Sequence, residues 1–62
     1  MNLRDAKKIV MLVAADLVEE EAETQPDWMF KDAEGNELTS TESARMLRAA
    51  DEVAADLRKR AE

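Results

Sequence analysis

The sequence predicts a mainly α protein. It reads as an antiparallel two-helix hairpin, with a short β-hairpin or irregular loop between the helices, pairing into a four-helix-bundle homodimer. Three observations predict this. Apolar residues recur at helical spacing on both sides of a Gly- and Pro-containing middle. The chain has only 62 residues, and eleven of its 28 apolar residues are Ala, so few side chains can fill a core. Cys and His are absent, which removes disulfides, thiolate zinc sites and the commonest metal ligand. Ordering each residue costs roughly 1.5 kcal/mol, and one large buried apolar side chain returns about 1.5–3 kcal/mol. Domains this short are marginal alone. A second copy of the chain is the most accessible source of further burial.

The first helix is expected over about residues 2–23. Asn2 suits the N-cap, and Asp5, three residues on, complements the positive end of the helix dipole. Leu3, Ala6, Val10, Val13 and Leu17 recur at alternating spacings of three and four, a heptad-like pattern that predicts the inner seam. Pro26 ends the helix because it pushes Gln25 out of the α region.

Residues 24–39 form the irregular middle. Trp28 to Lys31 and Glu37 to Thr39 flank Asp32-Ala33-Glu34-Gly35-Asn36, which suggests a hairpin turn with Gly35 or Asn36 at positive φ. Trp28 and Phe30 would then share a face, with Leu38 opposite. An irregular loop with the same aromatics tucked inward is the alternative.

A second helix is expected over about residues 40–61. Thr39 and Glu42 have capping-box spacing, with Ser40 and Thr41 as rival caps. Met46, Ala50, Val53 and Leu57 predict the inner seam, and Leu47, Ala54 and Ala61 a small-residue flank open to another helix. No internal repeat divides the chain, so residues 1–62 read as a single helical domain.

Helix 1 is apolar well beyond one stripe. Ile9, Met11 and Leu12 fall away from the predicted seam within one turn of one another, and such clusters mark contacts with another chain. The expected dimer interface is therefore Ile9, Met11, Leu12, Leu47 and Ala54. Charge supports an antiparallel pairing. Acidic residues gather from Glu19 to Glu37, whereas Arg4, Lys7, Lys8 and Arg58-Lys59-Arg60 are assigned to the opposite pole. Trp28, Met29 and Phe30 form a candidate patch for a further, unidentified protein, because aromatics and Met are enriched at interface hot spots.

Composition narrows function by exclusion. A net charge of −6 repels nucleic-acid backbones and anionic membranes. The apolar run Ile9 to Ala15 superficially resembles a signal-peptide core, but Asp5 and Asp16 bracket it and it is too short to span a bilayer. The lack of Cys fits a cytoplasmic location. Ala-, Asp-, Glu- and Arg-heavy usage is of the kind a high-GC bacterial or phage genome produces.

Catalytic chemistry finds little to work with. Glu20 and Glu23 have ExxE spacing, able to present two carboxylates to a Mg²⁺ ion, but helix 2 offers Glu52 and Asp56 at i, i+4 rather than a matching pair. Aligning Gly35 with the glycine of a calcium loop puts Phe30 and Thr41 at essential ligand positions, so that reading fails. Ser40 and Ser43 lack a His to activate them and suit a helix start. No catalytic, cofactor-binding or metal-binding residue is assigned, and no cofactor is expected. The favoured reading is a small non-enzymatic interaction module (adaptor, inhibitor or regulator) acting as a homodimer. A metal-dependent nucleotide hydrolase using helix carboxylates, or an acidic inhibitor that mimics nucleic acid, are the alternatives.

Overall fold

A computed structural model describes all residues 1–62 and shows two long helices packed against each other. Helix α1 spans Leu3–Glu23 and α2 spans Ser40–Arg60. Between them lie a single 3-10 turn, Asp27–Met29, and one isolated antiparallel bridge, Lys31 to Glu37. No helix is long and apolar enough to cross a membrane.

Local chemistry explains the boundaries. The Asn2 side chain accepts a hydrogen bond from the Asp5 backbone N–H at 2.9 Å, capping a helix end whose first N–H groups lack partners. At the other end Gln25 adopts φ 54°, the left-handed conformation that commonly follows a helix. The next residue, Pro26, has no N–H to give the last turn. The Thr24 hydroxyl takes up that role and donates to the Glu21 carbonyl at 2.7 Å. Helix α2 opens with a complete capping box. Glu42 N–H donates to Thr39 Oγ1 at 3.2 Å, and Thr39 N–H donates to Glu42 Oε1 at 3.0 Å. Ser40 and Thr41 lie inside the helix rather than capping it. The last turn carries Arg58, Lys59 and Arg60, the charge sign that its dipole favours.

The middle segment is a loop, not a β-hairpin. Pro26 starts a turn in which its carbonyl accepts from Met29 N–H, while the Asp27 carbonyl accepts from Phe30 and Lys31 N–H. Those bonds coil the chain at three residues per turn and break the alternation a strand requires. Met29 consequently points inward and is buried, while Trp28 and Phe30 stay about 40% exposed. The tip does form the expected tight turn. Gly35 takes φ 85°, and the Asp32 carboxylate accepts backbone N–H bonds from Glu34 and Asn36 at 2.9 and 3.0 Å.

The core is small, and α1 presents an unexpected face to it. Only Ala15, Ala22, Met29, Ala50 and Ala54 are buried. Met29 packs with Ala22 and Ala50, and Val18 covers that cluster. The α1 seam thus runs through Met11, Ala15, Val18 and Ala22. The predicted seam points elsewhere: Leu3 is 71% exposed, Val10 64%, Val13 50% and Leu17 58%. At 100° per residue the two stripes lie on the order of 140° apart around the helix. In α2, Ala54 replaces Val53 in the seam, with 0% of Ala54 exposed and 50% of Val53. Both changes have one cause: alanines on both helices let the backbones approach closely, so the bulkier Leu and Val side chains are turned outward.

Candidate interaction surface

Burial of small residues leaves the large ones on the surface. Along α1, Leu3, Ala6, Val10, Val13 and Leu17 keep their three-four spacing away from the α2 seam; Ala6 is half-buried and the other four are exposed. Ile9 and Leu12 are also exposed, on one border of this stripe. Beyond the C-terminal end of this stripe, Leu17 and Val18 share an open groove with the Trp28 indole. Trp28 lines a second groove with Leu38 and Met46 on its other side. The apolar surface therefore continues from α1 onto the loop, with Trp28 as the joint.

The predicted interface residues divide. Ile9, Leu12 and Leu47 are exposed, Met11 is half-buried, and Ala54 is wholly covered within the chain. Ala54 is therefore a core residue, not one of an outer surface. Within the predicted partner patch Met29 is core, and Trp28 and Phe30 are partly exposed. Leu3, Val10, Val13 and Leu17 form the longest exposed stripe. Sequence reasoning found their periodicity but pointed it inward. The available signal was the run of alanines at Ala15, Ala22, Ala50 and Ala54, which marks where two helices can come closest.

Charge is laid out unevenly over this surface. Arg58 donates to Asp16 at 2.9 Å and binds both carboxylate oxygens of Glu19. This grip holds the Glu19 carboxyl below its ordinary range and raises the Arg58 guanidinium. It also corrects the expected placement of Arg58 at the basic pole. Ala50 sits beside Ala22, and Arg58 reaches back to Asp16 and Glu19, so α2 ends level with the middle of α1. The first two turns of α1 project past α2, carrying Arg4, Lys7 and Lys8 with no ion-pair partner in the chain. At the far end Glu20, Glu21 and Glu23 have none either, and no basic residue offsets them in that last turn.

The carboxylates considered for metal chemistry are dispersed. No group of three or more Asp or Glu side chains converges as a cation site would require. Glu52 instead pairs with Arg48 at 3.2 Å and Asp56 with Arg60 at 3.0 Å, each one turn along α2. Asp32 is held below the ordinary carboxylate range, chiefly by the Asn36 backbone N–H, in keeping with its place in the turn. Comparison with protein-family models, curated proteins and solved structures finds no match for this chain.

Proposed function

We propose that this chain is a small, non-enzymatic protein-interaction module that works as a homodimer, two hairpins joining in a four-helix assembly. One observation carries the reading: Leu3, Ile9, Val10, Leu12, Val13 and Leu17 of α1 are all exposed, while the buried residues are four alanines and one methionine. Contiguous apolar surface of this kind marks a protein-binding face, whereas scattered single residues do not. A second copy suits it because every copy carries the same uncovered stripe, and two-fold pairing buries both at once. Any further partner would meet the Trp28 and Phe30 rim.

Light scattering coupled to size exclusion at micromolar concentration tests the proposal. The expected molar mass is twice the 7.0 kDa of one chain. A monodisperse species of single-chain mass at that concentration overturns it.

A further inference from the structure

We infer that the two copies pair through the outward stripe of α1, with the two α1 helices antiparallel and the α2 helices on the outside. This rests on the homodimer reading above and specifies its surface and direction. Leu3, Ala6, Val10, Val13 and Leu17 form two consecutive heptads of a helix-pairing seam, of which Leu3, Val10, Val13 and Leu17 are exposed and Ala6 half-buried. The residues of α1 that touch α2 lie on nearly the opposite side, so both contacts form together.

Charge sets the direction. Arg4, Lys7 and Lys8 stand at one end of α1, and Glu20, Glu21 and Glu23 at the other, all without intrachain ion pairs. Parallel pairing stacks each set on its own kind, acid on acid. Antiparallel pairing lays the acidic end of each helix along the basic end of its partner. It also brings positive side chains to an α1 C-terminus whose own last turn holds only acids, relieving the conflict with the helix dipole. The projecting start of α1 is covered at the same time, by the partner's α1. A two-fold axis between Val10 and Val13 then sets Val10 against the partner's Val13 and Ala6 against the partner's Leu17.

Two measurements test this on the full chain. Val13→Glu, at a position half exposed in the single chain, is expected to lower the molar mass to one chain and leave micromolar self-association at least tenfold weaker. Ala55→Glu, at an exposed position of α2 that belongs to no expected interface, is expected to leave the dimer intact. Circular dichroism of Val13→Glu checks that the variant keeps its helices, and Leu17→Lys repeats the test if it does not. Because the chain has no Cys, Ala6→Cys and Leu17→Cys variants report direction through a short thiol cross-linker. The mixture is expected to cross-link between the two variants in preference to either alone. A wild-type dimer in which Ala6→Cys links mainly to itself overturns the antiparallel direction, and a dimer indifferent to Val13→Glu overturns the surface. Either result leaves self-association standing, whereas a monomeric wild type removes both.

Discussion

At the scale of single residues, two backbone positions carry opposite predictions from the same physics. Gln25 occupies φ 54°, where a Cβ crowds the backbone, at a cost of roughly 1–2 kcal/mol that glycine escapes. Gln25→Gly is expected to stabilise the fold by about 0.5–1 kcal/mol, since the greater freedom of glycine in the unfolded chain offsets part of the relief. Gly35 sits at φ 85° with open space where a Cβ would be. Gly35→Ala therefore meets no steric neighbour and is expected to cost about 1 kcal/mol from conformation alone. Chemical-denaturant midpoints measure both; shifts of the same sign would contradict this backbone reading. A third residue reports through pH. The Asp32 carboxyl is held below its ordinary value in the folded chain, so it contributes stability above the unfolded value, about 4, and loses it as pH falls through the folded one. Asp32→Asn is expected to be less stable than wild type at neutral pH. The gap should close in acid, and a gap constant with pH would detach Asp32 from the turn.

At the scale of elements, the helices were legible in the sequence and their facing was not. Asn2 and Thr39 with Glu42 are local signals, each acting within one turn, so the starts of both helices followed from neighbouring residues. The end of α1 followed equally from Pro26. Which stripe of α1 meets α2 is a tertiary matter. Transfer energy favours burying Val10, Val13 and Leu17, yet close approach favours Ala15 and Ala22, and on a helix apolar on two sides only the facing helix decides. Of the two readings of the middle segment, the irregular loop holds and the β-hairpin does not, for a related reason. Trp28 and Phe30 have strand propensity, but the turn beginning at Pro26 takes up the Met29 and Phe30 N–H groups first.

The same seam gives two predictions at this scale. Ala54→Leu forces a large side chain between backbones held close by alanines and is expected to cost about 1–3 kcal/mol. In a domain of this size that lowers the melting midpoint by roughly 4–8 °C per kcal/mol. Val53→Leu, one residue away but half exposed, is expected to change the midpoint little. Equal effects at the two positions would show that the seam does not pass through Ala54. Arg58→Met keeps much of the apolar stem and removes the bonds to Asp16 and Glu19. Its destabilisation should shrink as salt rises, because the ion pairs are partly solvated.

At the scale of the molecule, the proposed homodimer makes stability and association one property. A hairpin whose buried residues are four alanines and Met29 gains little from its own core, and its larger apolar groups on α1 stay exposed in the single chain. This is also the limit of what the sequence disclosed about the site. The excess of apolar surface on helix 1 was visible, and so was the separation of charge along it. The division of Ile9, Met11, Leu12, Leu47 and Ala54 between surface and core was not, since it depends on the stagger and rotation of two packed rods. Thermal unfolding followed over two orders of magnitude in protein concentration bears on this most directly. If folding is coupled to pairing, the midpoint climbs steadily as the protein is concentrated. Superimposable curves across that range, from a species of single-chain mass, would show that one hairpin is sufficient by itself.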